Sequence, residues 1–254
     1  METGRISLLR LDYLFSVVVP CILAIYINDL DIQNYLGIIF GWSFIGITGN
    51  LLNDAIDKDR DIDYTTKELG TIAIISFILG FTLMIETFLL EPLTLVFALL
   101  SIILVVGYCI KLKQYAIINK FILVFSHIVF PYLMIRIQAP PTPMSWGEIL
   151  LLSTFLTFSF SGQVVHEAID QEAIQTFSQR TIQIIVISAS ILTIILGILA
   201  MILLANYYLF PFIIVPIGPM YIYRRPTVPG KHIKDVGIII GNLIMVYLLI
   251  LILT

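Results

Sequence analysis

Charge is what this sequence has least of. Lys, Arg, Asp and Glu make up 12% of the 254 residues, about half of the roughly 25% that a soluble domain carries. So few charges cannot cover a water-exposed globule, which excludes an ordinary soluble domain and leaves lipid to take up much of the surface. Cysteine is almost missing: Cys21 and Cys109 both sit in apolar stretches, so there is neither a disulfide framework nor a metal-ligand spacing. A basic excess is missing as well. With a net charge of −3 and Lys and Arg scattered through short connections, no nucleic-acid partner is expected. No small-residue cleavage site follows the first apolar stretch, which therefore reads as a membrane span and not a removable signal peptide. No polar stretch is long enough for a separate soluble domain, and none points to an obligate protein partner.

What is abundant is apolar sequence: 59% of residues are hydrophobic and the mean hydropathy is +1.02. A bilayer core of about 30 Å takes roughly 20 apolar residues per helix. On that ruler the chain divides into nine spans, at 8–28, 35–53, 69–89, 93–110, 116–137, 147–166, 182–203, 206–223 and 236–253. The expected fold class is therefore all-α: a polytopic membrane protein of about nine transmembrane helices, forming a single domain over 1–254. Lys and Arg near span ends stay cytoplasmic. Of the 14 basic residues, only Arg136 falls on the opposite side from the rest: Arg5, Arg10, Lys58, Arg60, Lys67, Lys111, Lys113, Lys120, Arg180, Arg224, Arg225, Lys231 and Lys234. That partition predicts a cytoplasmic N-terminus and a C-terminus on the other side.

The acids gather at the same face. The second span runs out through Asn53, Asp54, Asp57 and Asp61, residues that project from one side of a continuing helix. Clustered carboxylates repel unless a cation neutralises them, and Mg²⁺ suits oxygen ligands shared between carboxylates and a substrate phosphate. A calcium loop is the competing pattern, with Asp57, Asp59, Asp61, Asp63 and Glu68 in EF-hand register. Ile62, however, stands where that loop needs Gly for its turn. The sixth span ends in a second cluster, Gln163, His166, Glu167 and Asp170, spaced to share one helical face. Ionisable groups this close to hydrocarbon are costly and face a cavity or a partner. Gln163, Glu167 and Asp170 are thus further candidate metal ligands. The plain alternative is a helix that ends at the interface with its polar residues in water. Tyr108, Lys113, Asn119, Lys120 and Arg180 lie at span ends on the same side. Singly, Lys and Arg there are topology anchors; together they frame a site able to neutralise a polyphosphate.

These residues together resemble the UbiA superfamily of intramembrane prenyltransferases. The family signature NDxxDxxxD is matched by Asn53, Asp54, Asp57 and Asp61. Its Y-S-x-x-L-K-R segment is similar to Tyr108 through Gln114, with Asn119 in the place of a downstream Asn. Its Arg-Thr pair resembles Arg180-Thr181, and Arg10 is similar to the Arg that opens the family's first span. The chain departs from the pattern where an acid commonly stands at the positions of Gln163 and Ile174, and where Lys67-Glu68 replaces an Arg-Pro pair.

The resemblance implies nine helices around a central cavity, and Mg²⁺-dependent transfer of a prenyl group from an isoprenyl diphosphate to an aromatic or lipid acceptor. Asp54, Asp57, Asp61 and Asp170 would be catalytic, with Lys67, Tyr108, Lys113, Asn119 and Arg180 binding the diphosphate. Two other fates stay open. A terpene cyclase of the same superfamily would let the isoprenoid attack itself. An ion-coupled transporter would instead use Asp12, Glu86, Glu167 and Asp170 as a relay, with Pro20, Pro131, Pro211, Pro216 and Pro219 breaking its helices.

Overall fold

The computed structural model describes residues 9–57, 64–140 and 143–254. Arg5, Lys58, Asp59, Arg60, Asp61, Ile62 and Asp63, which carried part of the reading above, lie outside them, and so does the side chain of Asp57. Among the described residues every regular element is helical. In chain order these are α1 (Phe15–Ile27), α2 (Leu36–Asp57), α3 (Thr66–Leu83), α4 (Ile85–Leu90), α5 (Pro92–Ile110), α6 (Ile118–Val124), α7 (Phe130–Arg136), α8 (Trp146–Asp170), α9 (Gln179–Leu203), α10 (Phe210–Ile214), α11 (Ile217–Ile222) and α12 (His232–Leu253). Seven helical stretches among the described residues are long and apolar enough to cross a membrane; Leu11–Ile27 and Tyr207–Ile222 are shorter apolar ones. Together they fall on the nine expected spans. The protein is an integral, multi-pass membrane protein. Ile74, Ile78, Ile103, Ile195, Leu243 and Ile250 stand exposed, as lipid-facing side chains do when the hydrophobic solvent lies outside the protein.

Three spans are interrupted, two of them next to prolines. The third breaks at Met84 between α3 and α4. The fifth changes to a π-helical turn over Phe125–Val129 directly before Pro131. Proline has no N–H to donate to the preceding turn, and a widened turn absorbs the missing bond. Pro211, Pro216 and Pro219 divide the eighth span into α10 and α11 by the same cause.

The chain divides into two compact units. The first comprises residues 1–112, 125–141 and 238–254; the second comprises 113–124 and 142–237. In the first unit α2 packs along α3 at backbone distance. A Cβ built on Gly37 would lie 2.7 Å from the Leu83 carbonyl oxygen, and one on Gly80 would lie 2.9 Å from that of Gly41. Gly37 and Gly41 are one turn apart, the small-xxx-small spacing that lets membrane helices approach. Further along the pair, Ile47, Leu51 and Ala55 of α2 pack on Leu69 and Ala73 of α3. This contact fixes the end of α2 that carries the first acidic motif.

In the second unit α8 and α9 pair through small polar residues. Ser161 meets Ser190 at 3.3 Å, and Thr193 donates to Thr157 at 2.9 Å. Next to the motif end of α8, Val164, Val165, Ala168 and Ile169 pack with Ile174, Ile182, Val186 and Tyr223. The apolar face of α8 is buried there.

Candidate functional site

The first acidic motif begins on α2 as the sequence predicts. Asn53, Asp54 and Asp57 are all helical, and Asp57 is the last residue of the helix. Asp54 is buried, its side chain 3% exposed, and it forms an ion pair with Arg10. The guanidinium arrives from an unusual place. Arg10 has φ 45° and ψ 47°, in the left-handed region, and caps the short turn Leu11–Tyr13. A non-glycine residue there is strained by about 1–2 kcal/mol, a cost the buried ion pair offsets. Asn242 holds the same turn by donating to the Asp12 carbonyl at 2.8 Å. Asn53 adds an oxygen with no partner: its Oδ1 is buried and accepts no hydrogen bond.

A buried amide oxygen beside a carboxylate fits Mg²⁺, which takes oxygen ligands and would satisfy an acceptor that is otherwise costly to bury. Among the described residues no three or more His, Cys, Asp and Glu groups converge as metal ligands. The Asp57 side chain and Asp61 lie outside that description. Lys67 stands exposed in the first turn of α3. Its neighbour Glu68 closes a capping box with Thr65, accepting from the Thr65 N–H at 2.8 Å while Thr65 Oγ1 accepts from the Glu68 N–H at 3.2 Å. Glu68 is thus engaged at the helix start. Tyr108 occupies the last turn of α5.

In the second unit one expected metal ligand, Glu167, makes a closed set with Asn119 and Lys120. Asn119, Lys120 and Glu167 are each 0–1% exposed. Asn119 donates from Nδ2 to Glu167 Oε1 at 2.6 Å and to the Lys113 carbonyl at 2.9 Å. Lys120 donates from Nζ to Asn119 Oδ1 at 2.9 Å and is ion-paired with Glu167 Oε2. The same Oε2 accepts from the Ile174 N–H at 3.3 Å. Asn119 and Glu167, expected in two different roles, are direct partners. Lys120, read from the sequence as an anchor at the interface, is buried. The available signal was its place inside the apolar run of α6, since an intramembrane cation demands a partner.

Asp170, the last residue of α8, accepts from Lys234 Nζ at 2.7 Å and lies 3.4 Å from His166 Nε2. Gln171 follows in the left-handed conformation, φ 59°, and ends the helix. Gln163 is half-buried on α8 and Arg180 is exposed in the first turn of α9. Glu172 lies just outside the span. Desolvation, aided by the negative charges of Glu167 and Asp170, pushes its carboxyl above the usual range.

No family model and no curated protein matches the sequence. A solved structure of digeranylgeranylglyceryl phosphate synthase in membranes does match in shape. The alignment covers 97% of this chain and 95% of the other, with a TM-score of 0.61 and 20% sequence identity. The likeness shows that the chain shares the all-helical membrane fold of that synthase over nearly its whole length.

Proposed function

We propose that this protein is a magnesium-dependent prenyltransferase that moves an isoprenyl group from its diphosphate to an aromatic or lipid acceptor within the membrane. The observation that carries the proposal is the end of α2, where a buried, unpartnered Asn53 oxygen adjoins an Asp54 carboxylate steered by Arg10. It stands in a chain whose fold is that of a membrane prenyltransferase.

The proposed magnesium ligands are Asn53, Asp54, Asp57 and Asp61. When bound, the ion supplies Lewis-acid stabilisation of the diphosphate as it departs. Arg10 orients Asp54 for that task. Lys67, Tyr108, Lys113 and Arg180 are the proposed diphosphate-binding residues, donors to the charge that develops on the departing group. Asn119 serves indirectly, because its amide holds the Lys113 backbone. The carbon–oxygen bond to the diphosphate breaks with its electron pair on oxygen, and a nucleophilic atom of the acceptor bonds to the allylic carbon and gives up its proton. Apolar helices on every span keep water from the allylic cation. The proposed topology follows the basic residues, with a cytoplasmic N-terminus.

The test is product analysis of purified protein across a panel of prenyl diphosphates, with and without acceptors. Prenylated acceptor formed with Mg²⁺ and lost in EDTA supports the proposal. A cyclic product without acceptor supports terpene cyclisation instead, and no consumption of any diphosphate overturns both.

A further inference from the structure

A divalent cation at the second acidic motif meets groups that are already satisfied. Glu167 has both carboxylate oxygens engaged, Oε1 by Asn119 and Oε2 by Lys120 and the Ile174 N–H. The Asn119 oxygen is taken by Lys120 as well, and its amide group makes two donations. Gln163 brings no charge, and Asp170 has its own ammonium in Lys234. We infer that the second acidic motif is neutralised by the chain's own ammonium groups, Lys120 at Glu167 and Lys234 at Asp170, and takes no divalent metal ion.

The chemistry of each partner points the same way. A lysine that is fully buried stays protonated only beside a compensating charge and acceptors for its protons. Lys120 has both, in Glu167 and Asn119. The triad therefore carries no net charge before any metal arrives. Mg²⁺ demands near-octahedral oxygen ligation, so it would have to break the bonds of Asn119 and Glu167 while lying next to a fixed positive charge. A lysine, by contrast, is a compact point charge that three acceptors can hold without a metal's geometry. The ammonium at this position makes Glu167 a positioning residue, which ties the start of α6, the end of α8 and the following Ile174 turn into one block.

This inference rests on the magnesium reading of the first unit only for the total number of ions bound. Two measurements on the full-length protein in detergent test it. The first is a melting series in EDTA of the wild type, Lys120→Met, Glu167→Gln and the double variant. Each single substitution is expected to lower the melting temperature, and the double variant to melt above the sum of the two losses. Strictly additive losses overturn the inference. The second is Mn²⁺ uptake followed by electron paramagnetic resonance. Wild type and Glu167→Gln are expected to bind the same number of ions per chain, whereas loss of one ion in Glu167→Gln overturns the inference. If Asp54→Asn leaves the count unchanged, the magnesium reading of the first unit fails, and the melting series still decides this one.

Discussion

Arg10 reaches Asp54 from a left-handed backbone position and neutralises it inside the first unit. The pairing spans 44 residues of sequence, and it joins a strained turn ahead of α1 to the start of the acidic motif on α2. Strain kept at such a point fits a site where geometry is held for a ligand.

Replacing Arg10 separates the two contributions. Arg10→Ala removes a charge-assisted bond to a buried carboxylate, worth about 1.5–3 kcal/mol, and keeps the left-handed strain. Arg10→Gly removes the same bond and relieves about 1–2 kcal/mol of that strain. Arg10→Ala should therefore be less stable than the wild type, with Arg10→Gly melting above Arg10→Ala. Equal melting of wild type and Arg10→Ala would show that the ion pair contributes nothing.

The α2–α3 contact makes a prediction with an internal control. A methyl group on Gly80 meets the Gly41 carbonyl, Phe44 and Ile45 within 3.3 Å. Overpacking of that kind costs about 1–3 kcal/mol, against a helix-propensity gain of about 1 kcal/mol. Gly80→Ala should thus lower the melting temperature. Gly70→Ala, on the same helix with nothing within 4 Å of its Cβ, should leave it unchanged or raise it. The reverse order of the two would contradict the close packing of these helices.

How much of this was legible beforehand differs from residue to residue. Span positions were readable because lipid imposes a length and a polarity on every helix, and the motif on α2 was readable because its spacing repeats on one helical face. The π-helical turn before Pro131 was not, since prolines in membrane helices are tolerated and only the tertiary setting decides how the backbone adjusts, and the break at Met84 has no proline or glycine signal beside it. The Lys120–Glu167 pair was hidden for a different reason. A lysine at a span end is usually an anchor, and only the fold shows that this one points inward to an acid 47 positions away. Asp54 was picked out as a ligand by its motif, while its Arg10 partner lies too far along the chain for any spacing rule to find.

Topology can be read by labelling from each side of sealed vesicles. Thr66 and Tyr207 are both exposed, and Tyr207 lies in the short apolar stretch after α9. Cysteine at Thr66→Cys should react with a membrane-impermeant maleimide only from the cytoplasmic side, and Tyr207→Cys only from the opposite one. Cys21 and Cys109 are buried and should stay silent. Labelling of both from one side would overturn the proposed orientation.

Turnover of a prenyl diphosphate by wild type and Asp54→Ala, in Mg²⁺ and in EDTA, tests the central claim most directly. The wild type should release diphosphate and prenylate an acceptor only with Mg²⁺. Asp54→Ala should lose activity by at least two orders of magnitude, about 2.7 kcal/mol or more in the barrier, while still inserting and purifying as a membrane protein. Wild-type activity that persists in EDTA, or an Asp54→Ala variant as active as the wild type, would contradict the assignment of the α2 motif as the metal-diphosphate site.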